Sequence, residues 1–266
     1  MQTQKFTFRQ AQVFAEDLAR QAGQLLLKKF GKAKIAVKKP GEDFATDADL
    51  ASEKLIIQAI QKNFPTHAIL AEESGGHDIA EFQWIIDPLD GTKNFYFGLP
   101  NWCVSIALQK NGESVVGVVY APISNQLFSA RKNGNTMLNK RKIHVSDTAQ
   151  LSKSLVVVEI PRKHTSGRNF KKDITCFTDS LVKVRRVRAF AAAAYDLCLV
   201  ACGAADGYLD FSRNTKIWDV AAGELIVREA GGKTSDITLP KAPRNNTSIL
   251  ASNANLHQHL LKLLRI

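Results

Sequence analysis

Two acids stand three positions apart in the segment DPLDGTKNF, residues 87–95, directly after an apolar run at residues 84–86. Pro88 fixes φ and directs the chain into a turn, so we expect Asp87 and Asp90 to meet at the end of a strand. Two carboxylates held close together repel each other unless a cation lies between them. Because hard oxygen ligands suit Mg²⁺, the segment predicts a magnesium site.

Gly91 and Thr92 follow the second acid and can open a helix whose backbone N–H groups bind an anion. A metal ion and a phosphate at one turn form the arrangement of phosphoryl transfer. The structural alternative is an Asx turn in which Asp90 caps the helix.

Three further acids lie near the ends of predicted elements. Glu72 lies in AEESG after an apolar run, Asp219 lies in WDVAAG at the start of a helix, and Asp49 lies in DFATDAD before another helix. Taken singly, Glu72 reads as a surface acid and the two aspartates as helix N-caps. Taken together with the first segment, these acids stand where they can converge on one site.

The first half of the chain predicts two helices followed by a largely antiparallel sheet. Apolar residues recur at helical spacing over residues 9–30 and 50–64. Asn111-Gly112 between two apolar runs is a strong hairpin signal. The predicted strands are KIAVK at 34–38 and the runs at 68–70, 84–86, 104–108, 115–120 and 127–130.

The second half alternates between strands and helices, which implies a mixed α/β arrangement. The predicted strands are residues 155–158, 182–190, 208–211 and 249–252, and the predicted helices are residues 169–182, 191–205, 219–230 and 253–264. We therefore expect one compact body made of an N-terminal α+β half, residues 1–148, and a C-terminal α/β half, residues 149–266.

Composition limits the class of protein. The chain has 266 residues, of which 45% are hydrophobic, and this excludes disorder, collagen and coiled coil as its main state. Its four cysteines are too sparse for a disulfide framework. The sequence has neither a signal-peptide layout nor an apolar run of about 20 residues, so we expect a soluble, cytoplasmic protein with no membrane contact.

The net charge of +11, from 36 basic and 25 acidic residues, predicts anionic partners. Basic clusters lie at residues 28–39, 131–142, 162–172 and 183–188. They leave nucleic-acid binding open as an alternative function of another class. No aromatic-interleaved RNA motif accompanies them, so we rank this alternative below metal-dependent chemistry on a small phosphorylated metabolite.

Four motifs together, DPLDGTKNF, AEESG, WDVAAG and DFATDAD, resemble the inositol monophosphatase family of Mg²⁺-dependent, lithium-sensitive phosphatases. The resemblance covers nearly the whole chain in the expected order. It implies a layered αβαβα sandwich, often dimeric, with an antiparallel sheet in the N-terminal half. Fructose-1,6-bisphosphatases and 3′-nucleotide phosphatases are relatives of this family.

The resemblance also implies roles for individual residues. Two to three Mg²⁺ ions would be held by Glu72, Asp87, the carbonyl of Leu89, Asp90 and Asp219. Asp49, Thr92 and Glu72 would be catalytic, with Thr92 and Asp49 orienting a metal-activated water, and no phospho-enzyme would form. The N–H groups of Gly91 and Thr92 would hold the phosphate.

Substrate contacts are where this sequence departs from the family pattern. Ala191 and Ala192 replace a glycine and a hydroxyl residue before the long helix. The implied substrate contacts are Asp90, Ala192, Ala193, Asp210 and Lys216, and Lys38 matches a lysine of a mobile loop. We expect inositol 1-phosphate as the substrate. The alternative is fructose 1,6-bisphosphate or another sugar or nucleotide phosphate, with Arg213 or Lys216 meeting a second phosphate.

Overall fold

A computed structural model describes residues 6–40, 43–76, 80–162, 170–238 and 245–264. The predicted stop at Gly41, the first residue of the predicted helix at 169, and most of the basic cluster at 162–172 lie outside these ranges. Among the described residues, no helix combines the length and apolarity that a membrane span requires.

Seven α-helices and fourteen strands are seen in the described ranges. The helices are α1 (Phe8–Lys29), α2 (Asp47–Asn63), α3 (Thr92–Tyr96), α4 (Phe170–Lys183), α5 (Ala193–Ala201), α6 (Ile217–Glu229) and α7 (His257–Leu263). The strands are β1 (Ile35–Lys39), β2 (Asp43–Thr46), β3 (Ala68–Ala71), β4 (Phe82–Asp90), β5 (Cys103–Lys110), β6 (Glu113–Ala121), β7 (Gln126–Arg131), β8 (Met137–Leu138), β9 (Arg141–Lys142), β10 (Leu155–Glu159), β11 (Arg186–Arg188), β12 (Gly207–Asp210), β13 (Lys233–Asp236) and β14 (Ile249–Ser252).

Twelve of these strands form one large sheet in each half of the chain, and β1 and β2 pair as a separate two-stranded antiparallel sheet. The seven-stranded sheet has the order β3-β4-β5-β6-β7-β8-β9, in which only the β3–β4 pair is parallel. The five-stranded sheet has the order β11-β10-β12-β14-β13 and mixes parallel with antiparallel pairs. These observations confirm the predicted antiparallel and mixed sheets.

Three apolar clusters join the layers. One lies between α1, α2 and the outer face of the seven-stranded sheet. A second fills the space between the two sheets around α5 and α6. A third lies between the five-stranded sheet and α4 and α7. The order helix, sheet, helix, sheet, helix is the predicted αβαβα sandwich, and it buries both faces of each sheet.

Burial on both faces explains the apolar runs in the sequence. In β4, Trp84 and Ile86 belong to the outer cluster, whereas Ile85 points into the central one. Successive residues of a strand point to opposite faces, so a strand covered on both sides is apolar throughout. The two acids Asp87 and Asp90 lie at the carboxyl end of this buried strand.

Three predicted elements are shorter in the structure, and one of them is the last helix, predicted over residues 253–264, which covers only His257–Leu263. The basic strand predicted over residues 182–190 is reduced to β11, because α4 continues to Lys183. The helix predicted from residue 191 begins at Ala193, because Ala191 has a φ of 56° and so cannot be helical.

Candidate active site

The end of β4 carries the first two acids, and its geometry is a β-bulge and not the predicted turn. Asp87 pairs with Ser105 of β5, and Asp90 pairs with Cys103, so three steps on β4 face two steps on β5. In a regular strand, residues three apart point to opposite faces. The extra residue corrects this, and both acids line the same pocket.

Helix α2 fixes this bulge from the outside. The Ser52 hydroxyl donates a 2.9 Å hydrogen bond to the carbonyl of Pro88. Asp87 accepts a 3.0 Å hydrogen bond from the backbone N–H of Leu89. The strand end is therefore held by contacts within the chain, and the position of Asp87 is set by the backbone.

Glu72 reaches the same edge because β3 runs parallel to β4. β3 ends at Ala71, and the N–H of Glu72 donates a 3.1 Å hydrogen bond to the carbonyl of Ile86. The next residues are fixed by Glu53 of α2, whose carboxylate accepts from the N–H groups of Glu73 and Ser74 at 2.8 and 2.9 Å.

Asp219 comes from the other half of the chain, in the first turn of α6. Its Oδ2 accepts a 2.7 Å hydrogen bond from the backbone N–H of Lys216, so it also stabilises the start of the helix. Helix α6 packs across β4, β5 and β6, which brings this first turn to the carboxyl end of β4.

These elements enclose a cavity of about 300 Å³. Acids and bases share its wall. The acidic lining residues are Asp43, Glu72, Asp87, Asp90, Glu159 and Asp219, and the basic ones are Lys39, Lys93, Arg162 and Lys216. The structure thus gathers all four side-chain carboxylates that the sequence predicted as metal ligands.

Burial and mutual repulsion shift the titration of these acids. Burial raises the pKa of Asp90 to about 6, and burial with the nearby Asp90 charge raises the pKa of Asp219 to about 7. Burial and the charge of Asp219 raise the pKa of Glu72 to about 7, against the opposing effect of Lys39. The pKa of Asp87 is raised well above its ordinary value by burial and by the neighbouring acids. The cluster therefore carries more negative charge than its surroundings stabilise.

A lysine supplies part of the missing positive charge, and it is Lys39 and not the predicted Lys38. The Lys39 ammonium lies 2.8 Å from Glu72 and 2.7 Å from Glu73. Burial alone would lower its pKa, but the two carboxylates outweigh burial and raise it. Lys38 is exposed. The correction follows from strand geometry, because neighbouring residues of β1 point to opposite sides.

The donor set fits a hard divalent cation. It consists of carboxylate oxygens, buried at Asp87 and Asp90 and partly buried at Glu72 and Asp219, with an excess of negative charge. This is the chemistry that Mg²⁺ selects. Within the described ranges, no three acidic, His or Cys side chains are already drawn together to metal-binding spacing. Glu72 pairs with Lys39, Asp219 with the Lys216 N–H, and Asp90 with the Ala194 N–H at 2.8 Å.

Asp49 and Thr92 form a second feature next to the acids. The Thr92 hydroxyl lies 2.9 Å from Asp49 Oδ1 and 3.0 Å from the carbonyl of Leu89. Asp49 is fully buried, and burial raises its pKa. Its other oxygen accepts hydrogen bonds from the N–H and hydroxyl of Thr46, which is the true N-cap of α2. Asp49 is thus the third residue of a capping box and also the partner of Thr92.

Gly91 makes the link between the bulge and α3. Its φ is 86°, in the left-handed region that favours glycine, and a Cβ here would lie 2.7 Å from the carbonyl oxygen of Asn101. Asn94 anchors α3 by donating 2.6 Å hydrogen bonds to the carbonyls of Asn101 and Phe190. The N-terminal end of α3 therefore faces the cavity in a fixed orientation.

The profile of the inositol monophosphatase family matches residues 8–266. The chain belongs to this family. Its members are phosphatases and are generally metal-dependent.

Relatives of the chain carry two kinds of name. A "Nus factor SuhB" of Xylella fastidiosa is 39% identical over 228 residues, which cover 85% of this chain and 82% of that protein. A "fructose-1,6-bisphosphatase/inositol-1-monophosphatase" of Aquifex aeolicus is 38% identical over 244 residues, covering 91% and 90%. The solved inositol monophosphatase of Anabaena (Nostoc) superposes with a TM-score of 0.83 at 36% identity, covering 97% of this chain and 96% of that one.

Two of the predicted substrate contacts differ in the structure. Ala192 is fully buried, and the cavity is lined by its neighbours Ala191 and Ala193. Asp210 is also fully buried and does not line the cavity. Its oxygens accept hydrogen bonds from Ser212, the Arg213 N–H and Thr215 at 2.6, 3.0 and 2.8 Å, so Asp210 shapes the loop after β12.

Of the two bases predicted to meet a second phosphate, only one faces the cavity. Arg213 is 6% exposed, donates to the carbonyl of Ile237 at 2.7 Å and lies 3.5 Å from Asp173. Lys216 lines the cavity, with its ammonium bonded to the side-chain oxygens of Asn214 and Asn246.

Sequence reasoning missed Glu159 and Arg162, which also line the cavity. Glu159 is the last residue of β10, and Arg162 follows three positions later. The signal for them is their position after an apolar strand, which is the same signal that marked Glu72.

Proposed function

We propose that the protein is a Mg²⁺-dependent phosphatase that hydrolyses a small phosphate monoester, with inositol 1-phosphate as its main substrate. One observation carries the proposal: four carboxylates line a single cavity, two of them buried and two partly buried, and burial together with their mutual repulsion raises their pKa values. The cavity therefore lacks positive charge. A divalent cation supplies that charge.

The metal ligands in this proposal are Glu72, Asp87, the Leu89 carbonyl, Asp90 and Asp219, holding two to three Mg²⁺ ions. When bound, Mg²⁺ supplies Lewis-acid activation of water and neutralises charge on the phosphate. The Lys39 ammonium lies 2.8 Å from Oε1 of Glu72 and so competes with a cation for that oxygen.

Thr92 and Asp49 orient the attacking water. The Thr92 hydroxyl donates to Asp49, which leaves its oxygen lone pair free to accept a hydrogen bond from the water. Proton transfer then runs from the water through Thr92 to the buried Asp49 carboxylate. The N–H groups of Gly91 and Thr92 hold the phosphate at the start of α3, and no phospho-enzyme forms.

The alternative substrate is a bisphosphate such as fructose 1,6-bisphosphate, an activity that the name of the Aquifex relative includes. Lys216 supports it, because this base faces the cavity. Comparing the turnover of the two substrates by wild type and Lys216→Ala tests the alternative. A selective loss on the bisphosphate supports it, and an unchanged ratio excludes Lys216 as the determinant.

Phosphate release from a panel of esters tests the main proposal. We expect activity with Mg²⁺, none with EDTA, and inhibition by Li⁺ in the wild-type protein. Asp87→Asn should reduce activity by at least about a thousandfold, because a carboxylate that would hold Mg²⁺ is lost. Wild-type activity in EDTA, or full activity of Asp87→Asn in Mg²⁺, contradicts the proposal.

A second function, binding of nucleic acid, is favoured by one exposed feature and by the name "Nus factor" of a relative. The edge strand β11 presents Arg186 and Arg188 to solvent, and Arg185 directly before it is also exposed. An RNA mobility-shift assay over a salt series checks this, with Arg186→Glu as the variant. Affinity that persists at physiological ionic strength and is lost in the variant supports it. The homodimer and the cytoplasmic location stay predictions, and light scattering tests the dimer.

A further inference from the structure

Glu159 is an acid of the cavity that the proposed chemistry does not use. It ends β10 and is 8% exposed, and it is one of the residues that line the cavity. Within the described ranges its carboxyl group takes part in no hydrogen bond and no ion pair within 4.0 Å. A nearly buried polar group of this kind gains free energy when a ligand supplies the missing partner.

Asp210 provides the contrast, because it is the parallel-strand neighbour of Glu159 in register. Three donors from its own loop take the oxygens of Asp210. The resemblance to the family pointed to Asp210 as the acid that meets a substrate hydroxyl. In this structure Asp210 is fully buried and does not line the cavity, whereas Glu159 does.

The chemistry of the wall around Glu159 favours a neutral polar partner. Burial and the negative charges of Asp210 and Asp90 raise the pKa of Glu159 to about 8, while Arg162 opposes the shift. A carboxyl group in this setting both donates and accepts hydrogen bonds when it is protonated, which matches a hydroxyl group. A second phosphate would instead meet an acid that already lies among other acids.

We propose that Glu159 binds a hydroxyl group of the alcohol part of the substrate and so favours polyol phosphates over esters without hydroxyls. The inference rests on the proposed phosphatase function, because the phosphate must lie at the carboxylates for the alcohol to reach β10. It assigns specificity to the end of β10 and not to Asp210.

Steady-state kinetics with inositol 1-phosphate and phenyl phosphate test the inference. In Glu159→Ala we expect the KM for inositol 1-phosphate to rise about tenfold, and more than the KM for phenyl phosphate, which has no hydroxyl to lose. Glu159→Gln keeps a donor and an acceptor and should restore most of the preference. Glu113→Ala, an exposed acid away from the cavity, is the matched control and should leave the KM ratio unchanged.

The outcomes separate the two claims. If wild type hydrolyses neither ester in Mg²⁺, the proposed function fails. If wild type is active and Glu159→Ala keeps the wild-type ratio of the two KM values, the role of Glu159 is wrong. Should Glu159→Ala not fold, Glu159→Asp replaces it, because shortening the side chain by one methylene withdraws the carboxyl group and still predicts a lower preference.

Discussion

The acids of the cavity and Asp210 of β12 differ in how many hydrogen-bond donors the chain supplies to their carboxylates. Asp210 is fully buried and receives three hydrogen bonds from the loop that follows it. Asp87 is just as deeply placed, yet its carboxylate receives one bond, from the Leu89 N–H, and faces other acids. The structural acid is complete within the described part of the chain, whereas the cavity acids need a partner from outside.

This difference is why we propose metal binding for the cavity acids and not for Asp210. A buried carboxylate that has its own donors stabilises the fold, and removing its charge leaves those donors unpaired. A carboxylate that lacks donors destabilises the fold until a cation binds. Each of the predictions below changes one side of this contrast.

Outside the four predicted metal-ligand carboxylates, the largest effect is expected at Thr92, which connects the cavity to Asp49. Thr92→Val removes the hydroxyl while keeping the shape, and we expect kcat to fall by about a hundredfold because the attacking water loses its orientation. Thr92→Ser keeps the hydroxyl and should retain most of the activity. Equal kcat values for the two variants would show that the hydroxyl has no role in the reaction.

A large effect on stability is expected at Asp210. Asp210→Asn presents an amide N–H₂ to donors that need an acceptor, and it should lower the free energy of unfolding by about 2 kcal/mol. Urea denaturation measures this, with Asp147→Asn at an exposed position as the control. A loss of substrate affinity without a loss of stability would instead show that Asp210 contacts the substrate.

A substitution at Asp219 is expected to raise the stability of the metal-free protein, whereas the substitution at Asp210 lowers stability. In metal-free protein at pH 8, Asp219→Asn removes repulsion within the cluster and keeps an oxygen for the Lys216 N–H. Its Tm should therefore exceed that of wild type by a few degrees, while Mg²⁺-dependent activity is lost. A lower Tm for the metal-free variant contradicts the view that the cluster lacks positive charge.

The smallest effect is the pH dependence of the metal-free Tm. Asp90, Glu72 and Asp219 have pKa values of about 6 to 7 in the folded chain, above their ordinary values of 3.8 and 4.5. The folded state therefore binds more protons than the unfolded state in this range, and stability from these groups is lost as pH rises from about 4 through 7. Thermal melts in EDTA should show a shallower decline for Asp219→Asn than for wild type, and identical slopes would contradict the shifts.

The grouping of the cavity acids could be predicted from the sequence, because acidic motifs that lie at the ends of neighbouring strands come together in the fold. The parallel pair β3–β4 and the first turn of α6 bring Glu72, Asp87, Asp90 and Asp219 to one cavity, as their positions after apolar runs and before a helix indicated. The layered sandwich was predicted from the resemblance to the family, and the apolar residues on both faces of β4 agree with it.

The predictions for Lys38 and Arg213 were wrong because they depend on the exact register of a strand and on contacts between residues distant in sequence. Strand β1 places Lys39 and not Lys38 at Glu72, and its pairing with β2 has an irregularity between Ile35 and Val37 that no composition reveals. The partners of Arg213, the Ile237 carbonyl and Asp173, come from β13's end and from α4. Sequence patterns predict which face of a regular element is buried, whereas bulges and loops determine which of two neighbouring residues reaches the site.

The most direct test of the account is calorimetric titration of Mg²⁺ into metal-free wild type and Asp87→Asn at pH 7.5. The account predicts saturable binding of more than one Mg²⁺ ion by wild type, with release of protons from the acids whose pKa values are raised. It predicts weak or absent binding by Asp87→Asn. Equal Mg²⁺ affinity and equal proton release in the two proteins would contradict the claim that the cavity acids bind Mg²⁺.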